Sequence, residues 1–371
     1  MPFSPAKPYN DLPLLPPETE IETKATLRAS AEARAALAEL KAAGGMIPNQ
    51  SVIINSIPIL EAQASSAIEN IVTTTDKLFR YADHQIDQAD PDTKEAFQYR
   101  TALYEGFKEI KTRPLSVGTC IRTCAIIKGA DLGIRKTPGT ALQNKLTGEV
   151  VYTPPEGETL ILEKLSNWEK FLHESDVEPL IRMAALHYQF EAIHPFIDGN
   201  GRTGRVLNLL FLVQHGLLEI PVLYLSRHII KNKADYYRLL GEVTANNAWE
   251  PWILYMLAAV RETATWTREK IVAIKLLIDS TANRVREAEP RIYSRELIEL
   301  IFEQPYCRIS TLVNKGIAKR QAASTYLTRL EELGVLERAK AKGAEKVYAN
   351  PKFLALLKSG NALETLQTVI S

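Results

Sequence analysis

Residues 194–205 concentrate the residue types that phosphate chemistry needs and read His-Pro-Phe-Ile-Asp-Gly-Asn-Gly-Arg-Thr-Gly-Arg. Their three glycines allow backbone N–H groups to converge on an anion, and their two arginines add forked guanidinium donors. The carboxylate of Asp198 is a hard oxygen ligand that suits a Mg²⁺ ion bridging phosphates. His194 stands at the start of the segment, and an imidazole exchanges protons near neutral pH. This pattern indicates a polyphosphate site with a histidine at its edge.

Two helices must position this segment. Apolar residues at helical spacing over residues 180–190 predict a helix that runs into it, and residues 206–215 predict a second helix that leaves it. The segment is then a loop that closes on the N-terminus of the second helix, where the helix dipole favours an anion. The simpler alternative is a Gly-Asn-Gly turn with a capping histidine, which does not require all the fixed residues together.

The segment resembles the signature of the Fic (filamentation induced by cAMP) family, H-x-F-x-[D/E]-G-N-G-R-x-x-R, at every fixed position. The resemblance extends from the N-terminal helical region to about residue 260. Fic proteins of this kind transfer AMP from ATP to a Ser, Thr or Tyr hydroxyl of a target protein. The resemblance therefore implies a protein adenylyltransferase that uses ATP and Mg²⁺ and releases pyrophosphate. The candidate nucleotide-binding residues of the loop are Gly199, Asn200, Gly201, Arg202, Thr203, Gly204 and Arg205.

The resemblance also implies a role for each polar residue of the loop. His194 takes the proton from the target hydroxyl, since an alcohol is a poor nucleophile. Asp198 holds Mg²⁺ against the α- and β-phosphates, while Asn200 and the neighbouring glycine amides stabilise charge on the reacting phosphate. Arg202 binds the leaving pyrophosphate and Arg205 binds the γ-phosphate.

A β-hairpin is predicted over residues 137–155, because a Thr-Gly turn separates two β-prone segments. It resembles the flap of the family, whose edge pairs with the target segment as an added strand. A purely structural ribbon is the alternative. The candidate docking residues are Glu149, Val150, Val151 and Tyr152.

The nucleoside is bounded in the family partly by a segment that follows the loop. Here that segment places Asn232, Tyr236 and Tyr237 near the adenosine. Core packing of the two tyrosines is an equally good interpretation.

Residues 65–70, Ser-Ser-Ala-Ile-Glu-Asn, resemble the inhibitory motif of the family, [S/T]-x-x-x-E-[G/N]. The motif lies in a predicted helix over residues 59–80, and its members are Ser65, Glu69 and Asn70. The resemblance implies that Glu69 pairs with Arg205 and excludes the γ-phosphate of ATP from its productive position. A further hypothesis is that Glu69 positions a water molecule that removes AMP. An ordinary exposed Ser/Glu pair is the simpler alternative.

Beyond these motifs, the chain is expected to be mainly α-helical, a Fic helical bundle with the hairpin flap and a C-terminal winged helix. Six prolines in the first 20 residues predict an extended surface arm. The expected domains are an arm and helical region (1–110), the catalytic core (111–265), a linking helix (266–289) and a winged-helix-like domain (290–371).

The 371 residues carry 45 Lys and Arg against 44 Asp and Glu, which argues against bulk binding to nucleic acid or membrane. The charge is uneven, because the residues from Arg284 onward hold 15 basic against 10 acidic side chains, a net +5. The three cysteines are too few for a disulfide framework, and we expect a cytoplasmic protein without a membrane anchor.

Three alternatives stay open for the function and partners. The same loop could use another nucleotide or phosphate donor. The body could be a ligand sensor for a DNA-binding winged helix, whose third helix offers Lys319, Arg320 and Arg329 for phosphate contacts. The winged helix could instead bind protein, and the family resemblance also admits a homodimer.

Overall fold

A computed structural model describes residues 3–81, 89–143, 147–339 and 346–370. Helices dominate it, and the only strands of these ranges form two small antiparallel sheets. The helices are α1 (Lys24–Gly44), α2 (Ser51–Ile54), α3 (Ile57–Ile68), α4 (Thr75–Tyr81), α5 (Pro91–Glu109), α6 (Val117–Lys128), α7 (Glu158–Glu174), α8 (Pro179–Ile193), α9 (Asn200–Gln214), α10 (Ser226–Lys231), α11 (Lys233–Asn246), α12 (Trp249–Ala288), α13 (Arg295–Glu303), α14 (Ile309–Asn314), α15 (Arg320–Glu332), α16 (Pro351–Lys358) and α17 (Ala362–Ile370). None of the described helices is long and apolar enough to cross a membrane.

The centre of the body is the pair α8 and α9, which are buried on nearly all sides. Helix α12 packs along α1 and against α8, and the indole N–H of Trp252 donates to the carbonyl of Ala184 at 2.9 Å. The predicted linking helix 266–289 is the second half of this 40-residue helix. After Pro251 the segment contains neither glycine nor proline, so nothing in the sequence ends the helix at residue 265.

The single helix predicted over residues 59–80 is wrong, because α3 ends at Ile68 and α4 begins at Thr75. Asn70 adopts the left-handed conformation with φ of 68°, which a short polar side chain tolerates and a helix interior does not. The side chain of Gln63 then holds the turn, donating to the carbonyl of Thr73 at 3.0 Å. The break leaves Glu69 as the C-terminal cap of α3.

The N-terminal arm contains turns, such as the one closed by the Leu12 N–H on the Tyr9 carbonyl, and it packs on the body. Leu12 and Leu15 are buried, and the carbonyl of Leu12 accepts a hydrogen bond from Lys164 Nζ at 2.7 Å. The backbone N–H of Leu15 donates to Asn167 Oδ1 at 2.8 Å. Two leucine side chains and these bonds to α7 explain why a proline-rich segment has a defined path.

The hairpin forms from β1 (Leu142–Gln143) and β2 (Val150–Tyr152), which pair antiparallel with Leu142 opposite Tyr152. Residues 144–146 of the predicted hairpin lie outside the described residues. The pairing agrees with the alternation and turn signal in the sequence.

The C-terminal sheet has the order β3-β5-β4, from β3 (Tyr306–Arg308), β4 (Glu337–Ala339) and β5 (Val347–Ala349). Helix α13 precedes β3, and α14 and α15 lie between β3 and β4. This is the order of elements that a winged helix has. Residues 340–345, between β4 and β5, lie outside the described residues. On α15, Arg329 Nη1 is paired with Glu332 Oε2 at 2.7 Å.

Candidate active site

The catalytic candidate His194 caps the C-terminus of α8 in a left-handed conformation, with φ of 50°. Its backbone N–H donates to the carbonyl of Phe190 at 3.0 Å. The ring Nδ1 is buried and has no hydrogen-bond partner among the described residues. Burial, reinforced by the nearby charge of Arg135, lowers the pKa of His194 to about 4. The imidazole is therefore neutral at pH 7 and able to accept a proton.

The loop after His194 is held by the side chain of Asn200. Its Oδ1 accepts from the backbone N–H of Phe196 at 2.9 Å, and its Nδ2 donates to the Phe196 carbonyl at 2.8 Å. Gly199 takes φ of 83° immediately before α9, a conformation that disfavours any side chain. Both side-chain polar atoms of Asn200 therefore hold the loop, and its backbone N–H lies at the first position of α9.

The N-terminus of α9 lies at Asn200, so the first-turn N–H groups of residues 200–202 have no partner within the helix. Thr203 and Gly204, two other candidate nucleotide-binding residues, follow these first-turn N–H groups in α9. The N–H of Thr203 already donates to the Gly199 carbonyl at 3.0 Å, and its side chain is fully buried. A Cβ on Gly204 would lie 2.9 Å from Glu191 Oε1 and 3.2 Å from Phe190, so this glycine permits α8 and α9 to pack.

The loop predicted over residues 194–205 is shorter in the structure, because α9 begins at Asn200 and Arg202 and Arg205 lie in its first two turns. Glu69 bridges these two arginines. Its Oε1 accepts from Arg205 Nη2 at 2.8 Å and its Oε2 accepts from Arg202 Nε at 2.7 Å. The two guanidinium groups are almost completely buried, with 1% and 2% of their side chains exposed. Burial disfavours the charged form of Arg205, but the Glu69 carboxylate outweighs it and raises the pKa of Arg205. The expected pair is present, and it includes Arg202 as well.

The other residues of the predicted inhibitory motif support this pair. Ser65 Oγ accepts from Arg205 Nε at 2.7 Å, and its carbonyl accepts from Arg205 Nη2 at 2.9 Å. Asn70 supplies the left-handed turn after Glu69. Gly201 leaves space for the carboxylate, because a Cβ there would lie 2.7 Å from Glu69 Oε1.

Two charged residues that the sequence analysis missed extend the ion-pair network. Glu95 Oε1 on α5 accepts from Arg202 Nη1 and from Lys128 Nζ, each at 2.8 Å. Lys128 Nζ also lies 2.6 Å from Asp198 Oδ2. Neither residue belongs to a local motif, and only the packing of α5 and α6 against α9 brings them here.

The predicted metal ligand Asp198 has 58% of its side chain exposed at the mouth of the loop. Its Oδ1 accepts the backbone N–H of Gly199 at 2.6 Å, and Lys128 and that N–H overcome burial to lower the pKa of Asp198. Within the described ranges, no three His, Cys, Asp or Glu residues form a group that could hold a metal ion.

Glu191, which no sequence motif indicated, lies on α8 beside Gly204. Its Oε1 is buried without a hydrogen-bond partner in the described part of the chain. Burial raises the pKa of Glu191 to about 7, with the Arg205 charge opposing the shift and Glu69 adding to it. The carboxyl group of Glu191, near Arg205, thus gains or loses its proton close to neutral pH.

The predicted adenosine contacts divide into core and surface residues. Tyr236 is 1% exposed, and its hydroxyl is hydrogen-bonded to His187 Nε2 at 2.8 Å, which favours the packing alternative. Tyr237 is 50% exposed next to it, with the two ring centroids 5.2 Å apart. Asn232 lies between α10 and α11 and donates from its side chain to the carbonyl of His228 at 3.0 Å.

The hairpin is attached directly to the end of α8. The hydroxyl of Tyr152 donates to the carbonyl of Ala192 at 2.8 Å, and its ring contacts Phe3 and Tyr9 of the arm. Of the other predicted docking residues, Glu149 and Val151 are exposed and Val150 is partly buried. The hairpin therefore lies next to the end of α8, where His194 follows.

Comparison with known proteins identifies three domains along the chain. Residues 27–108 match the Fic/DOC family N-terminal domain and residues 124–212 match the Fic/DOC family domain. Residues 277–353 match the C-terminal domain of SoFic-like protein adenylyltransferases. The order of these matches follows the helical region, the site and the C-terminal sheet described above.

Several curated relatives share part of the sequence. A probable protein adenylyltransferase of Aquifex aeolicus is 28% identical over 151 residues, which are 40% of this chain and 42% of that protein. Protein adenylyltransferase Fic of Nematostella vectensis is 34% identical over 116 residues, or 30% of this chain and 25% of that protein. The chain thus spans less than half the length of these relatives.

Two solved structures have a similar fold. A Fic family protein from Desulfovibrio desulfuricans superposes with a TM-score of 0.57 at 20% identity, covering 90% of this chain and 98% of that one. A Fic-domain signalling protein from Bacteroides thetaiotaomicron gives 0.52 at 18% identity, covering 66% and 97%. With its sequence signature and these matches, the chain contains the two Fic/DOC family domains, and its helical fold is that of Fic family proteins.

Proposed function

We propose that the protein is an adenylyltransferase that transfers AMP from ATP to a Ser, Thr or Tyr hydroxyl of a protein, and that Glu69 holds it inactive. The observation that carries the proposal is the Glu69 carboxylate bound to two buried arginines at the N-terminus of α9. Relatives named as protein adenylyltransferases agree with the activity.

The buried arginines favour a polyphosphate substrate. A guanidinium group removed from water needs an anionic partner, because an unpaired buried charge costs several kcal/mol. Here Glu69 and Glu95 are the anions on Arg202, and Glu69 is the one on Arg205. Phosphate oxygens accept the same forked hydrogen bonds, so a nucleoside triphosphate can replace Glu69 without leaving either cation unpaired.

His194 supplies the proton transfer. A neutral imidazole takes the proton of the attacking hydroxyl as the hydroxyl oxygen bonds to the α-phosphorus. The bond from the α-phosphorus to the oxygen of the β-phosphate breaks, and pyrophosphate leaves with that electron pair. The first-turn N–H groups of α9 face the charge that develops on the phosphate oxygens.

Asp198 fits the expected Mg²⁺ ion by the chemistry of its donor atoms. Mg²⁺ binds in proteins through one or two carboxylates together with substrate phosphates and water. Asp198 already has a cationic partner, because the Lys128 ammonium group contacts its Oδ2. When bound, the ion supplies charge neutralisation to the phosphates of ATP.

The test compares ATP-dependent labelling of the wild type with that of Glu69→Gly and Glu69→Gln, using ATP labelled at the α-phosphate. Removal of the carboxylate frees both arginines, so we expect at least about tenfold more protein-bound label, equivalent to about 1.4 kcal/mol. Adding His194→Ala should abolish the label in every background. The matched control is Glu105→Gln, which neutralises an exposed glutamate of α5 that is paired with Lys108. It should behave like the wild type.

The donor is tested in the same assay. Label from the α-phosphate but not from the γ-phosphate of ATP identifies AMP transfer, whereas γ-label identifies phosphoryl transfer. Comparison with UTP, GTP and CTP separates adenylyl transfer from transfer of another nucleotide. Equal labelling of the wild type and both Glu69 variants would contradict the inhibitory role of Glu69.

A further inference from the structure

Arg135 is a buried residue of the segment between α6 and β1 that neither the loop motif nor the inhibitory motif includes. It is 2% exposed. Its Nε donates to the carbonyl of His194 at 2.8 Å and its Nη2 donates to the carbonyl of Ile193 at 3.3 Å. Its own backbone N–H donates to the carbonyl of Pro195 at 2.9 Å. Three consecutive carbonyls around the catalytic candidate thus bind one residue.

The same guanidinium group reaches the hairpin. Nη2 of Arg135 also donates to the carbonyl of Pro155, which follows β2 and leads the chain into α7. The hairpin is joined to the end of α8 a second time by the Tyr152 hydroxyl on Ala192. Arg135 is therefore the side chain that connects the base of the hairpin with the backbone of His194.

Burial of the charged guanidinium group of Arg135 costs free energy. The side-chain hydrogen bonds described for Arg135 all go to backbone carbonyls, and burial lowers the pKa of Arg135, with only Glu156 and Tyr152 opposing the shift. His194 itself adopts the left-handed conformation, which disfavours a residue with a side chain by about 1–2 kcal/mol. Charge-assisted bonds to the carbonyls on both sides of that residue stabilise this conformation.

We propose that Arg135 is a positioning residue for the transfer reaction, fixing the imidazole of His194 and the base of the hairpin relative to each other. The inference rests on the proposed function, in which the hairpin edge carries the acceptor segment and His194 takes its proton. A misplacement of about 1 Å between a base and its substrate lowers the rate by about a hundredfold.

The charge of Arg135 has a second consequence for His194. Burial is the largest cause of the low pKa of His194, and Arg135 adds to it, while Glu69 and Asp198 act in the opposite direction. A neutral side chain at position 135 should therefore raise the pKa of His194. A lysine at this position keeps the charge but has a single head group that cannot reach all the carbonyls at once.

The experiment uses Arg135→Gln and Arg135→Lys in the Glu69→Gly protein, with Arg122→Gln as the control. Arg122 is an exposed arginine of α6, paired with Glu109. We expect kcat for labelling to fall about tenfold or more in both Arg135 variants, with KM for ATP little changed, because ATP binding does not involve Arg135. In Arg135→Gln alone, the acid limb of the pH profile should move to higher pH. The Arg122→Gln protein should match its parent.

NMR titration of histidine-labelled protein measures the pKa of His194 without any turnover, and His194→Ala assigns its signal. The pKa should rise in Arg135→Gln and stay near the parent value in Arg135→Lys. An unchanged pKa in Arg135→Gln, or an Arg135→Lys protein with the full kcat of its parent, would overturn the proposal. If none of the four nucleotides gives protein-bound label in the Glu69→Gly parent, the proposed function fails. The titration then still tests the effect of Arg135 on the pKa of His194. Should Arg135→Gln not fold, kcat and pKa of Arg135→Lys decide.

Discussion

At the scale of single residues, the site is organised by carboxylates placed against buried arginines. Glu69 uses both oxygens, one for Arg202 and one for Arg205, so it competes for two cations at once. Glu95 shares Arg202 from the other side and also binds Lys128. Under the proposed function, the ATP phosphates displace Glu69 from both guanidinium groups, so this one residue is sufficient as the inhibitory element.

The buried carboxyl of Glu191 makes stability depend on pH. Its pKa of about 7 in the folded protein stands against an ordinary value of 4.5, so between these values the folded state holds a proton that the unfolded chain has lost. The free energy of unfolding should therefore fall as pH rises through this window, by up to about 3 kcal/mol. Glu191→Gln should remove that loss and unfold at higher urea concentration than the wild type above pH 7.

The control for this prediction is Glu250→Gln, which neutralises an exposed glutamate of α12. Its urea midpoint should follow the wild type at every pH. A Glu191→Gln protein that loses stability with rising pH just as the wild type does would show that Glu191 does not hold the proton.

At the scale of elements, the break between α3 and α4 decides where the Glu69 carboxylate lies. Helix α3 is held in place by Glu61, a buried carboxylate that accepts from Ser226 of α10 and from Tyr99 of α5. The helix then stops at Ile68, and the left-handed Asn70 turns the chain away. Had the helix continued to residue 80 as the sequence pattern indicated, Glu69 would sit in its interior.

Substitution of Asn70 tests this geometry. Asn70→Gly keeps the left-handed turn without strain, so stability and ATP-dependent labelling should stay close to the wild type. Asn70→Ala adds about 1 kcal/mol of strain at φ of 68° and should weaken the hold on Glu69, so labelling should increase. Urea unfolding and labelling with ATP provide the two measurements. Identical behaviour of the two variants would mean that the turn does not position Glu69.

At the scale of the whole molecule, the C-terminal region touches both neighbours of α3. Asn49, just before α2, donates to Glu303 Oε1 of α13 at 3.0 Å. Asp76 of α4 accepts from the hydroxyl of Tyr306 at 2.6 Å and from Lys358 Nζ at 3.2 Å. The helix that carries Glu69 is therefore braced by the active-site helices on one side and by the C-terminal region on the other.

The whole molecule should lose stability in mild acid. Burial lowers the pKa of His187 to about 3 and that of His194 to about 4, from an ordinary 6.5. Below pH 6.5 these histidines bind protons in the unfolded chain but stay neutral in the folded protein. Each histidine therefore lowers the free energy of unfolding by about 1.4 kcal/mol per pH unit. Glu191 offsets one of the two between pH 4.5 and 6.5. Calorimetry near pH 5.5 should show net proton uptake of about one or more on unfolding.

The half-buried His215, with a pKa lowered to about 4, adds a smaller part of the same sign. His215→Gln should reduce the proton uptake without changing its direction. Stability that is constant or increasing between about pH 6.5 and 4.5 would contradict neutral burial of these histidines.

The sequence by itself predicted the helix that ends before His194 and the helix that follows the glycine-rich segment, although α9 begins at Asn200 and not at residue 206. Glycines, caps and apolar spacing act over a few neighbouring residues, so they are readable without the fold. The sequence also placed Ser65, Glu69 and Asn70 in one motif. Tertiary structure alone decided that Glu69 binds two arginines, that Glu95 and Lys128 join them, and that Tyr236 packs in the core. It also decided that Arg135 holds His194. These contacts join residues far apart in the chain, and the pairing of a buried charge depends on which helices pack together, which no local pattern records.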